Sequence, residues 1–164
     1  MALIGFAGSG KTAAGAFAAR ELGLPFMDIT ECLPDVREGT DMSGFNQLMT
    51  LLLSKAAAVG GIVASDESDV MMPKNRKMLK ENFVTVLLDA PFDVLYDRIS
   101  KSGKIMAYNY HRSELCRIYE MRQKQYRECA DFVVDCARPL EDVASDIAEI
   151  ALSEGCADIN SIVI

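Results

Sequence analysis

Eight residues near the start of the chain, Gly5-Phe6-Ala7-Gly8-Ser9-Gly10-Lys11-Thr12, fit the pattern G-x-x-x-x-G-K-[ST] at every fixed position. Each position has a chemical reason. Glycines let a backbone curl round a phosphate without Cβ clashes. The amides of such a loop, with Gly8, Ser9 and Gly10 at its centre, and the N-terminus of the helix that follows then face the anion. Lys11 is placed to reach the β- and γ-phosphates, and the Thr12 hydroxyl to reach a metal. The expected ligands are ATP and Mg²⁺. A second stretch, Gly61 to Glu67, runs apolar and ends in acid. Asp66 and Glu67 can hold Mg²⁺ there or take a proton from an acceptor hydroxyl. The same residues also read as a polar turn capping the next helix, with Asp69 sharing that task.

A loop of this kind needs a strand before it and a helix after it, and the pattern supplies both. Ala2 to Phe6 reads as a first strand, and Lys11 to Leu22 as an alanine-rich helix stopped by Gly23. Strands are expected at Pro25 to Met27, Gly61 to Ala64, Phe83 to Leu88 and Phe132 to Val134. The Phe83 to Leu88 run is unbroken and apolar, as a strand covered on both faces should be. Helices are expected at Ser43 to Val59, Lys74 to Lys80, Phe92 to Ser100, Ser113 to Cys129 and Leu140 to Leu152, with Ser43 and Ser113 as N-caps. Residues 31–41 and 101–112 read as loops, the first with room for one short helix. The terminal Ser161-Ile162-Val163-Ile164 reads as a sixth strand or a frayed end. Strands alternating with helices make βαβ units, hence a parallel sheet with helices on both faces.

The chain has 164 residues, which suggests a single domain over 1–164. Its formal net charge of −7 argues against general affinity for nucleic acid. No apolar run approaches the roughly 20 residues of a membrane span. The start MALIGF lacks a basic segment and is not expected to be a signal peptide. The five cysteines form no C-x-x-C pair and stand with a single histidine, His111, so free thiols in a cytoplasmic protein are expected rather than a zinc site.

Longer segments carry a family resemblance. LIGFAGSGKTAAG followed by AARELGLPFMDIT, then VTVLLDAPFDVLYDRI, then MRQKQYRECADFVVD together resemble the shikimate kinase family of small P-loop kinases. The likeness spans about residues 2–150 and is patchy between 30 and 82. It implies a three-layer α/β/α P-loop kinase fold with a five-stranded parallel sheet. It also implies an acceptor-binding region at about 30–60, a lid at about 101–112, and a role in aromatic amino acid biosynthesis. The implied reaction moves the γ-phosphoryl group of ATP to a hydroxyl, nominally that of shikimate. Residue by residue, Asp28 stands where the family begins its Asp-x-Asp motif, and so would serve Mg²⁺ or the acceptor hydroxyl. Arg98 matches an arginine at adenine and the phosphates, and Arg138-Pro139 the clasp on the adenine ring. Arg122 matches an arginine on the substrate carboxylate.

The acceptor half departs from the family. The second aspartate of Asp-x-Asp is Thr30, and the family's Phe-Arg appears as Phe45-Asn46. Its glycine triplet falls at Asp66-Glu67-Ser68, and the lid's Arg-Pro is absent from Lys104-Ile105-Met106-Ala107. A pocket for an anionic acid needs converging cations, and here Arg122, Arg112 and Lys104 are the candidates. The expected function is ATP-dependent phosphorylation of a small molecule, with Lys11, Asp28 and Arg98 as catalytic groups, and Asp28, Asp66 and Arg122 at the acceptor. A same-fold kinase for another hydroxylated acceptor and a non-catalytic nucleotide-binding pseudokinase are the alternatives. The chain is expected to be a monomer or weak oligomer.

Overall fold

Strand β1 (Ala2–Ile4) is buried at all three positions and forms the middle of a parallel sheet. Its neighbours are β3 (Ile62–Ala64) on one side and β4 (Thr85–Asp89) on the other. Strand β2 (Phe26–Asp28) lies outside β3, and β5 (Phe132–Asp135) outside β4, giving the order β2-β3-β1-β4-β5. The computed structural model describes residues 1–32, 42–103 and 110–157. The expected sixth strand, the Lys104–Ala107 stretch with Tyr108 and Asn109, and residues 33–41 lie outside the described residues.

Six α-helices are found among the described residues. They are α1 (Lys11–Leu22), α2 (Met42–Val59), α3 (Pro73–Asn82), α4 (Phe92–Ser102), α5 (Arg112–Cys129) and α6 (Leu140–Ser153). Right-handed crossovers sort them into layers. The chain moves outward from β1 to β2 through α1. It then travels back across the sheet from β2 to β5 through α2, α3, α4 and α5. The reversal places α1 on one face and the later helices on the other. Helix α6 packs on α1, closing that face. Ligands in such sheets bind beyond the carboxyl ends of the strands where the direction reverses. In this chain that point is the end of β1.

The register brings the strand ends together: Asp28 is level with Ala64, and Ala64 with Leu3. Helix α1 must approach this part of the sheet closely, and Gly15 permits it. A Cβ on Gly15 would lie 2.8 Å from both Leu3 Cδ1 and Phe26 Cε2.

Several boundaries differ from expectation for identifiable reasons. β1 stops at Ile4, because the Phe6 carbonyl already accepts the N–H of Ser9 in the loop turn. β4 starts at Thr85, since the N–H of Phe83 still bonds Leu79 O at the end of α3. Ser43 is not an N-cap, because α2 already begins at Met42. Ser113 is not one either. The Glu114 carboxylate accepts the N–H of His111 at 2.8 Å, which fixes His111 as the cap three residues earlier. Helix α3 begins at Pro73, whose ring suits the first helical position. Its cap is Met72, with no side-chain cap bond, so Asp66, Glu67 and Asp69 do not cap this helix.

Replacing Gly15 with Val puts branched carbon into space already filled by Leu3 and Phe26. The expected loss is about 1–3 kcal/mol, read as a lower denaturation midpoint with unchanged denaturant slope.

Candidate active site

The loop between β1 and α1 is shaped by a close approach at one end and an open helix terminus at the other. Gly8 has φ +79, and a Cβ on it would stand 2.7 Å from the Leu95 carbonyl oxygen of α4. Only glycine fits there, so α4 packs directly against the loop backbone. At the other end, Gly10 caps α1 with no side-chain hydrogen bond, and no acid occupies the first turn of that helix. The N-terminus of α1 therefore keeps its positive end and its amides for an anion. Lys11 Nζ reaches back to Gly5 O at 2.7 Å and Phe6 O at 3.3 Å. Ser9 Oγ is buried and has no hydrogen-bond partner among the described residues.

A cavity of about 250 Å³ opens over this loop. Its lining includes Gly8, Gly10, Lys11, Thr12, Asp28 and Arg98, and also Thr30, Ser65, Glu67 and Ser102. Asp28 is almost wholly buried at the end of β2. One of its oxygens accepts the Thr30 N–H at 2.8 Å and the Thr30 hydroxyl at 2.6 Å. The other accepts the Thr12 hydroxyl. A hydroxyl and a carboxylate so joined form a hard oxygen pair beside a phosphate loop, which suits Mg²⁺.

A second cavity, of about 160 Å³, adjoins the first through Gly8, Gly10 and Arg98, which line both. Ser9, Arg138, Leu140 and Cys136 complete much of its wall. Arg98 donates to Gly8 O at 3.4 Å, and so stands at the junction of the two cavities. The Arg138 guanidinium pairs with Asp146. Pro139 caps α6, between the lining residues Arg138 and Leu140. Burial pushes the Cys136 thiol up to about 11 despite the nearby Arg98 charge, so this cysteine presents a neutral surface.

The remaining sequence-predicted residues fall differently. Asp66 does not line the cavity; its carboxylate turns back to accept the N–H of Ser68 at 2.8 Å. Glu67 is the acid of that pair that faces the P-loop. The Arg122 guanidinium sits over the Phe6 ring, 5.9 Å from its centroid, and its Nη1 is buried with no partner among the described residues. Arg112, a lid candidate, pairs with Asp93 and lies over the rings of Phe92 and Tyr96. Asn46, standing where the family has arginine, lines a separate groove between α2 and α3.

Sequence reasoning missed the weight of Asp69. It is fully buried, and burial followed by the Asp66 charge pushes its carboxyl up from 3.8 to about 7. Hydrogen bonds from Asn75 and the Asp66 backbone, and the Lys11 charge, only partly offset this. Nothing in the run Asp66-Glu67-Ser68-Asp69 separates one acid from the next; burial alone does. The folded state holds the Asp69 proton where the unfolded chain has released it. Its stabilising effect is therefore complete below about pH 4 and lost as pH rises toward 7. The expected outcome is a fall in unfolding free energy of a few kcal/mol over that window at most, with a shallower slope in Asp69→Asn, measured by urea unfolding across pH.

The family model described as shikimate kinase matches residues 7–151. Shikimate kinase from Burkholderia thailandensis is 32% identical over 147 residues, covering 83% of this chain and 80% of that protein. Shikimate kinase from Enterococcus faecalis is 28% identical over 159 residues, covering 90% and 95% respectively. Among solved structures, shikimate kinase from Acinetobacter baumannii in complex with shikimate superposes with a TM-score of 0.83 at 24% identity, covering 93% of this chain and 92% of that one. The Aquifex aeolicus shikimate kinase gives a TM-score of 0.77 at 26% identity, covering 94% and 96%.

Proposed function

Since the chain belongs to the shikimate kinase family, we propose that it transfers the γ-phosphoryl group of ATP to the 3-hydroxyl of shikimate, with Mg²⁺ as the metal. The observation that carries this reading is the convergence of Lys11, Thr12, Asp28 and Arg98 on one cavity over the phosphate loop. The relatives favour this over a kinase for another acceptor and over a non-catalytic role.

The chemistry divides among the chain's own groups. ATP, when bound, supplies the phosphoryl group, and Mg²⁺ offsets the charge on its oxygens. The loop amides and the N-terminus of α1 would hold the phosphates. Lys11 would leave the carbonyls of Gly5 and Phe6 to stabilise the charge that develops on transfer. Thr12 and Asp28 would hold the metal, and the buried Ser9 hydroxyl is a spare donor for the loop's ligand. Arg98 is placed to bridge phosphate and nucleoside, while Arg138, Pro139 and Leu140 would clasp the base. Arg122, with an unspent donor beside Phe6, would meet the substrate carboxylate. Glu67 takes the acceptor-side role that sequence alone assigned to Asp66.

The proposal includes a cytoplasmic monomer or weak oligomer with no nucleic-acid or membrane partner. The formal net charge of −7 argues against general affinity for nucleic acid, and no helix among the described residues is long and apolar enough to cross a membrane.

The test is calorimetric titration of shikimate into protein saturated with a Mg²⁺–ATP analogue, followed by an assay of shikimate-dependent ADP release. Binding with turnover is expected, and Lys11→Ala should lower kcat by about 10²–10³-fold. Analogue binding with neither shikimate heat nor ADP release would remove shikimate as the substrate.

A further inference from the structure

The turn after β3 is held by a chain of hydrogen bonds that starts on a distant helix. The Thr50 hydroxyl, on α2, donates to Asn75 Oδ1 at 2.8 Å. Asn75, fully buried on α3, donates through Nδ2 to Asp69 Oδ1 at 2.9 Å. Asp69, also fully buried, accepts the backbone N–H of Asp66 on its second oxygen at 3.0 Å. One residue further on, Glu67 lines the cavity with Lys11 and Asp28. The turn is braced from its other side by Tyr126 of α5, whose hydroxyl donates to Glu67 O at 2.7 Å. Two polar side chains without any exposure are an expensive way to hold a turn unless their bonds are all made. Here they connect the helix of the acceptor region to the wall of the cavity.

We propose that Asp69 is a positioning residue for the acceptor, which sets the Glu67 turn against the phosphate loop and couples that turn through Asn75 to Thr50 on α2. The role in acceptor binding rests on the kinase reading above; the coupling itself does not. Asp69 lines neither cavity, so its effect passes through the Glu67 turn on the acceptor side of the proposed site rather than through nucleotide contacts. The chain can also run in reverse. An amide at position 69 would keep an oxygen for the Asp66 N–H and donate to a turned Asn75, whose Nδ2 would then donate to the Thr50 oxygen. The freed Thr50 proton has an acceptor in place, Asn46 O at 3.0 Å. Asp69→Asn is therefore the conservative substitution, and Asp69→Ala the disruptive one.

The experiment compares Asp69→Ala, Asp69→Asn and Thr50→Val with the full-length parent. Steady-state kinetics are measured for both substrates, with amide hydrogen exchange over residues 65–69. Asp69→Ala should raise the shikimate KM by about tenfold, one hydrogen-bond interaction's worth, with the ATP KM changed less than about twofold. Asp69→Asn should restore the parent value. Thr50→Val, at the half-exposed end of the chain, should raise the shikimate KM about threefold and speed exchange at the Asp66 amide, leaving β1 protected. It serves as the deciding variant if Asp69→Ala fails to fold. Equal changes in both KM values, or a loss of stability with both KM values unmoved, would overturn the proposal. If the parent turns over no shikimate, the kinase reading fails instead. Exchange at Asp66 then decides the coupling: unchanged exchange in Thr50→Val overturns it.

Discussion

A buried carboxylate is tolerable only when its oxygens are hydrogen-bonded, and Asp28 meets that condition in a way that organises the site. Thr30 supplies two of its donors from the residue pair that follows β2, and Thr12 supplies one from the first turn of α1. The interaction ties the start of the phosphate-loop helix to the end of a strand that is separated from β1 by β3. Without it, the loop would be held by β1 and by α4 at Gly8, with no tie to the β2 side of the sheet. With it, the loop, the helix N-terminus and the carboxylate share one frame. A lysine and a metal pair can be useful in phosphoryl transfer only when held to such tolerances, because the transfer depends chiefly on positioning and electrostatics.

The acidic character of the chain is compatible with binding a polyanion because the cations are concentrated. Lys11, Arg98 and Arg138 stand along the two adjoining cavities, while Glu81, Asp97 and Glu128 lie on exposed helix faces in pairs with lysine. Such exposed pairs contribute little to stability. The acids that matter are Asp28 and Glu67 at the cavity and Asp69 behind it. The raised proton affinity of Asp69 shows how strongly burial acts when two carboxyls, Asp66 and Asp69, share one turn.

The two halves of the site differ in how far they follow the family. On the proposed nucleotide side, Gly8 and Gly10 of the loop, Arg98 and Arg138 line the two adjoining cavities. On the proposed acceptor side, Asp66-Glu67-Ser68 stand where the family resemblance places glycines, and the turn is not a bare backbone loop. It is braced by side chains, with Asp69, Asn75, Thr50 and Tyr126 holding it from two faces. Arg122 remains, its guanidinium kept over an aromatic ring with a donor to spare. Losing glycines need not mean losing the site, because a turn can be fixed by bonds as well as by conformational permissiveness.

The phosphate-loop pattern and the order of strands and helices were legible from the sequence. Their signals are local: a glycine spacing that only one backbone shape satisfies, and apolar runs of strand or helix period. Element ends moved by one to a few residues where a hydrogen bond such as Glu114 to His111 set the frame. The tertiary structure alone decided which acid faces the cavity, that Arg112 is engaged by Asp93, and that Asp69 is buried. A turn has no period, so neighbouring acids at 66, 67 and 69 look alike until packing points one inward and another outward. The partners that tell them apart, at positions 50, 75 and 126, are distant in the chain and meet only once helices from three crossovers lie on the same face of the sheet.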